Sequence, residues 1–211
     1  MSQKQEHSAP FHLPNAASDV VALAASLGGL RALSQVLSAF PPKFPAAIVV
    51  VQHLSPKYPS HLTEILSRCT SLKVKQAESG DQLRSGMVYV APPNKHLLVK
   101  DTTLSLSQSE RVNFSRPSAD VLFESVAVSF RQRAIAVVLT GKAGDGATGC
   151  KAIKKMGGKV IVQDETTSEC FSMPKSAIAT GSVDLVLSLS EISTALISLV
   201  MTEEKTASVE L

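Results

Sequence analysis

Along most of the chain, continuous apolar runs alternate with segments whose apolar residues recur at helical spacing. The first run, Val20–Ala25 (VVALAA), has strand length and leads into Ser26-Leu27-Gly28-Gly29. LRALSQVLSAF then places Leu30, Leu33, Val36 and Leu37 on one helical face, and Pro41-Pro42 ends that helix. Ala46–Val51 (AAIVVV) is a second apolar strand running into Gln52-His53; His61–Arg68 reads as a helix and Leu72–Gln76 as an alternating strand. Residues 79–107 have another character. SGDQLRSG is rich in turn formers, GMVYVAPP holds a short strand, and KHLLVKDTTLSLS reads as two strands around a tight turn, which together predict an antiparallel patch inserted into a parallel sheet. A helix from Ser118 or Asp120 runs through Phe130, followed by strand Ala134–Leu139 (AIAVVL), the loop Thr140–Gly146, and a helix to about Met156 capped by Gly157 and Gly158. Strand Val160–Gln163, helix Pro174–Thr180, strand Val183–Leu187 and helix Ile192–Met201 complete the series.

Strands that are apolar throughout, rather than alternating, are strands buried on both faces. The pattern therefore predicts an α/β fold: a doubly wound, mostly parallel sheet with helices on both faces and a small antiparallel hairpin patch. Residues 1–18 and those from Thr202 onward are polar and aperiodic, so flexible tails are expected around one domain spanning 19–201.

Composition narrows the functional classes. Of 211 residues 44% are hydrophobic, enough for one sizeable core. Lys and Arg number 21 against 18 Asp and Glu, a net charge of +3, too small an excess to argue for nucleic acid. With seven Phe, two Tyr and no Trp, a base-stacking platform is not expected either. No apolar run approaches the roughly 18–20 residues that span a bilayer, and MSQKQEHSAPFHLPNAAS lacks the apolar core of a secretory signal. A cytoplasmic protein without membrane insertion is expected. Cys69, Cys150 and Cys170 are widely spaced and without CxxC pairing, which disfavours a disulfide framework or a zinc site.

Parallel sheets of this kind hold ligands outside the carboxyl ends of their strands. Those ends present Ser26, His53, the loop containing Asp145, and Gln163-Asp164. A hydroxyl, an imidazole and carboxylates on one rim are the components of a Ser-His-Asp acyl-transfer site. Ser26 occupies a sharp strand-to-helix turn followed by two glycines, which exposes its hydroxyl near backbone N–H groups. The plainer roles are a helix cap or a phosphate-cradling loop, the latter weakened because neither GxGxxG nor GxxxxGK[ST] is present. His53 could equally be a hydrogen-bonded structural residue. His7 and His12 lie in the tail, His61 on a helix and His96 at a hairpin. Asp145, between Gly144 and Gly146, could reach the imidazole or cap the ATGCKAIKKM helix. Asp164 is a rival at another strand end, and spacing does not choose between the two.

The segments AASLGG (24–29), FPAAIVVVQH (44–53), VYVAPPNKHL (88–97), RPSADVLFESVA (116–127), AVVLTGKAGDGATG (136–149) and VQDETTSECFSMP (162–174) resemble the catalytic domain of the chemotaxis protein-glutamate methylesterases (CheB type). The resemblance runs from about Val20 to Leu199, with the blocks in family order. It implies Ser26 as nucleophile, His53 as base and Asp145 as orienting acid, with backbone N–H groups near Leu27 and Lys142 stabilising the oxyanion. It implies γ-methyl esters of glutamate on cytoplasmic chemoreceptor helices as substrates and partners, deamidation of receptor glutamines as a second activity, and no metal or organic cofactor. This chain departs from the family pattern at Ala24, usually Gly; at Leu27, usually Thr; and at Lys142-Ala143, usually Met-Gly. The departures keep open an alternative, a weak or inactive receptor-binding module on the same fold.

Typical members carry an N-terminal receiver domain whose phosphorylation relieves inhibition. Only about 19 residues precede the first expected strand here, too few for such a domain. Activity without phosphorylation is therefore expected: turnover should be the same with and without a small-molecule phosphodonor, and a large stimulation would contradict this.

Overall fold

The central strands are almost wholly Val, Ile, Leu and Ala, because both faces of the sheet are covered. The computed structural model describes residues 17–54 and 60–207, with side chains through Met201. In chain order the elements are β1 (Asp19–Ala25), α1 (Gly29–Ser38), β2 (Ala46–Gln52), α2 (Leu62–Cys69), β3 (Lys73–Gln76), β4 (Met87–Val90), β5 (His96–Lys100), β6 (Thr103–Ser107), α3 (Ala119–Phe130), β7 (Ala134–Val138), α4 (Ala147–Lys155), β8 (Lys159–Gln163), α5 (Ser172–Ile178), β9 (Leu185–Leu187) and α6 (Leu189–Ala207). Seven strands form one sheet in the order β3-β4-β2-β1-β7-β8-β9, every neighbouring pair parallel. This is the doubly wound α/β architecture.

Every residue of β1 and β2 is buried, and alternate side chains serve opposite faces. Val20, Ala22 and Ala24 join a core with α3, α4 and α5. Val21, Leu23 and Ala25 join a second core with α1, α2 and α6. From β1 the chain first builds outward through β2, then returns through α3 to place β7 on the other side of β1. The strand order thus reverses at β1, which opens a crevice at its carboxyl end.

The region 79–107 differs from expectation in one respect. Met87–Val90 is a parallel strand of the main sheet, between β3 and β2. Only β5 and β6 are antiparallel, and they form a separate two-stranded sheet rather than an insertion in the large one. The reason is that two neighbouring parallel strands need a crossover. Residues 77–86, rich in turn formers, supply it, and the hairpin holds it through Leu83 N–H to Thr102 O (2.8 Å) and Leu104 N–H to Asp81 O (2.8 Å). The hairpin lies on α3, where Val99 N–H donates to Ser125 Oγ at 3.0 Å.

At the ends, Ala17 is buried and its N–H donates to Leu83 O at 3.2 Å. Residues 1–16, expected as tail, lie outside the described residues, as do 208–211. The backbone from Thr202 to Ala207, also expected as tail, continues α6. Among the described residues no helix is long and apolar enough to cross a membrane.

Helices α3 and α4 approach closely at Gly149. A Cβ there would lie 2.5 Å from Phe123 Cβ and 3.2 Å from Asp120 Cα. In an exposed helix interior Gly→Ala gains about 1 kcal/mol; here overpacking reverses the sign. Gly149→Ala should destabilise the fold by about 1–3 kcal/mol in urea denaturation, and a stabilised variant would contradict this packing.

Candidate active site

The parallel register aligns Ala25 with Gln52, and His53 N–H continues the ladder to Ala25 O at 3.0 Å. Ser26 and His53 therefore leave adjacent strands side by side, at a strand spacing of roughly 4.8 Å. On the other flank Ser26 N–H donates to Thr140 O at 3.0 Å, just past the end of β7. The chain then turns through Gly28, at φ +77°, into α1. A Cβ on Gly29 would sit 2.1 Å from Gln52 Oε1, so the turn can press this closely on β2 only without a side chain there.

His53 Nε2 lies 2.8 Å from Asp145 Oδ2. Asp145 is 1% exposed. Its carboxylate also accepts from Ser118 Oγ (2.7 Å), Ala119 N–H (2.6 Å) and Asp120 N–H (3.1 Å). These donors belong to the first turn of α3, whose free N–H groups and dipole favour an anion. Asp145 thus caps α3 from outside. The cap of α4 is Gly146, without a side-chain hydrogen bond, so the capping role considered for Asp145 falls on a different helix. Burial alone would raise the Asp145 pKa, but the bonds from His53, Ala119, Ser118 and Asp120 together hold it below the usual carboxylate range. An ionised carboxylate only accepts hydrogen bonds. Nε2 therefore carries the ring proton, and Nδ1 is the basic nitrogen.

Asp164, the rival acid, turns inward on its own loop. Its carboxylate accepts from Thr167 N–H (3.0 Å) and Thr166 Oγ1 (2.8 Å), and no hydrogen bond joins it to His53. Buried His96 is structural: Nε2 bonds Glu110 O at 2.9 Å, while Nδ1 accepts from Ser118 N–H at 3.2 Å. His61 pairs with Glu64 at 3.1 Å on the surface, and His7 and His12 lie outside the described residues.

Ser26 and His53 line one open cavity of about 900 Å³ together with Leu27, Gln52, Lys142 and Glu169. Among the described residues no hydrogen bond joins Ser26 Oγ to His53; such catalytic contacts often tighten only with substrate bound. The backbone N–H groups of Leu27 and Lys142 donate to no protein acceptor among the described residues. The side chains of Leu27 and Lys142 are exposed. Ala143 stands at φ +74°, a left-handed conformation that costs a residue with a side chain about 1 kcal/mol or more.

Sequence reasoning missed two supporting residues. Gln52 is 6% exposed, and its Nε2 donates to the carbonyls of both Ser26 (2.7 Å) and His53 (3.2 Å), tying the two strand ends together. Its Oε1 has no partner among the described residues. A polar residue closing an apolar strand directly before His53 was the available signal. Ser118 was visible only as a helix start, because its bond to Asp145 spans 27 residues of chain. No group of side chains suited to a metal ion occurs among the described residues.

The sequence profile of the CheB methylesterase family matches residues 21–196. A Leptospira interrogans protein named for protein-glutamate methylesterase and protein-glutamine glutaminase activities is 47% identical over 175 residues, or 82% of this chain and 91% of that protein. The protein-glutamate methylesterase/protein-glutamine glutaminase 2 of Anaeromyxobacter dehalogenans is 43% identical over 178 residues, 84% of this chain and 52% of its own length. The crystal structure of the Thermotoga maritima CheB methylesterase catalytic domain superposes with a TM-score of 0.83 at 38% identity, covering 86% of this chain and 98% of that one.

The lowered Asp145 pKa fixes a pH dependence. Its contribution to stability is complete above the unfolded carboxylate value of about 3.9 and is lost as pH falls through the lower folded value. The stability difference between wild type and Asp145→Asn in urea denaturation should shrink as pH falls below about pH 4. A difference that keeps growing below about pH 4 would contradict the assignment.

Proposed function

Because the chain belongs to the CheB methylesterase family, we propose that it is a serine hydrolase that removes γ-methyl esters from glutamates of chemoreceptors through Ser26, His53 and Asp145. The observation that carries this reading is the 2.8 Å bond between His53 and a buried, ionised Asp145, one ladder rung from Ser26. His53 Nδ1 takes the Ser26 proton as Oγ attacks the ester carbonyl, and Asp145 stabilises the imidazolium that forms. The N–H groups of Leu27 and Lys142, which have no protein acceptor among the described residues, face the tetrahedral oxyanion; one such donor contributes on the order of 10²–10³ in rate. The imidazolium returns its proton to the leaving methoxide, methanol departs, and water attacks the acyl-enzyme with His53 again as base. Free glutamate and Ser26 remain.

Attack on a glutamine carboxamide at the same place releases ammonia and leaves glutamate, so receptor deamidation is the second proposed activity. All steps use proton transfer and hydrogen bonding by the chain's own groups. Receptor substrates of this kind put the enzyme at work on the cytoplasmic side of the membrane. The departures at Leu27 and Lys142 change side chains while the proposed donors are backbone groups, which favours catalysis over a purely binding role.

Methanol release from a glutamate-methylated receptor fragment tests the reading. Ser26→Ala should lower kcat on the order of 10⁶-fold, and Asp145→Asn on the order of 10⁴-fold. Equal turnover by wild type and Ser26→Ala would refute the nucleophile. Inactivity of wild type as well would favour the binding module.

A further inference from the structure

Phe114 is an aromatic side chain 96% exposed to solvent. It occupies a two-residue hairpin turn closed by Ser115 N–H to Val112 O (2.9 Å) and Val112 N–H to Ser115 O (3.2 Å). Asn113 and Phe114 both hold left-handed backbone, at φ +50° and +60°. Asn suits that conformation; a bulky aromatic residue does not. The turn is nevertheless fixed from two sides. Asn113 Nδ2 donates to buried Asp120 at 2.7 Å, and Arg116 donates to Gln108 O (2.9 Å), Ser109 O (2.7 Å) and Asn94 Oδ1 (2.8 Å). A strained backbone and an anchored loop thus hold out a ring that is almost wholly exposed among the described residues, and such strain clusters at active sites and ligand clamps.

The ring stands beside the proposed site. Phe114, Arg111 and Ser115 line a cleft of about 140 Å³ together with His53 and Leu54. His53 also lines the larger cavity containing Ser26, so the two hollows meet at the imidazole. Around that larger cavity Leu27, Leu30 and Ile65 are exposed by 52%, 42% and 37%. The cations Arg31, Lys142 and Arg111 form no ion pair among the described residues, and Glu169 is the only acid lining the larger cavity. Apolar side chains and cations without an ion pair among the described residues thus line both of the hollows that share His53. That is the complement of an amphipathic, glutamate-rich helix: apolar residues one turn, 5.4 Å, from the reacting glutamate meet the apolar rim, while neighbouring carboxylates meet the cations.

We infer that Phe114 is a substrate-positioning residue, docking against the apolar face of the receptor helix whose modified glutamate enters between Ser26 and His53. The inference rests on the proposed function for its substrate, and binding separates the two. Phe114→Asn keeps a residue suited to the left-handed turn, so its melting temperature should equal or exceed that of wild type. With a glutamate-methylated, helical receptor fragment as probe, KM should rise about tenfold while kcat stays within about twofold, and Phe114→Leu should recover most of the loss. In a Ser26→Ala background, where nothing is cleaved, Phe114→Asn should weaken Kd for the same fragment about tenfold. An unchanged Kd, or no binding by the Ser26→Ala parent, overturns the inference. So does a wild-type dimer that Phe114→Asn converts to monomer with Kd unaltered, which would give the ring to a second copy. A Phe114-dependent Kd with no methanol released by wild type leaves the docking role standing and refutes the esterase.

Discussion

The site depends on a carboxylate that is almost wholly removed from water yet remains charged. Burial opposes that charge, and four donors outweigh burial: two N–H groups and a hydroxyl from the start of α3, and the imidazole of His53. Because the first three come from a rigid helix end, the Asp145 carboxylate is pinned before it meets the ring. The ring in turn has its tautomer fixed by the carboxylate. Without the α3 donors the burial of the carboxylate would favour its protonated form, and the tautomer of the His53 ring would no longer be fixed by an anion. The residue two positions into the donor turn illustrates the point. Asp120 is also buried, and burial first, with the Asp145 charge adding to it, raises its pKa although Gly149 N–H donates to it at 2.7 Å. Neighbouring carboxylates are driven in opposite directions, and the one given more donors is the one that holds His53.

The sheet supplies the second constraint. Parallel strands deliver their carboxyl ends to one edge, and β1 lies where the strand order reverses, so the residues after β1, β2 and β7 meet there without any long loop. Gln52 locks two of those ends by spanning the carbonyls of Ser26 and His53, and the Thr140 carbonyl secures Ser26 from the third.

Much of this architecture was legible in the sequence because doubly buried strands have to be apolar throughout. VVALAA, AAIVVV and AIAVVL announce themselves, and each is followed by a polar residue that reaches the rim. The pattern was silent on pairing partners. MVYV carries the same apolar signature whether it pairs parallel or antiparallel, so its place between β3 and β2 emerged only from the crossover formed by residues 77–86. The choice between Asp145 and Asp164 was equally invisible to spacing. It is decided by donors contributed from α3, some 25–27 residues away in the chain, and by the hydroxyls of Thr166 and Thr167 that occupy Asp164 locally. Ser118 and Gln52 escaped notice for the same reason, since their importance lies in partners distant along the chain.

The start of α3 does more than hold one acid. Ser118, Ala119 and Asp120 donate to Asp145 on one side, and the Asp120 carboxylate accepts from Asn113 on the other, fixing the turn that presents Phe114. The polarisation of His53 and the shape of the mouth beside it are thus referred to a single rigid body. That body is well secured: Phe123, Val126 and Phe130 are buried in the core, and α4 approaches at Gly149 so closely that a methyl group would not fit. A displacement of this helix end would move the acid and the rim together, preserving their relation while changing both relative to Ser26, which is held instead by β2 and β7. The position of the Asp145 carboxylate relative to the strand ends therefore reduces to the packing of α3 against the sheet. The small residues at that contact, Ala22, Ala24 and Ala136 among them, keep the separation short and leave little room for it to vary.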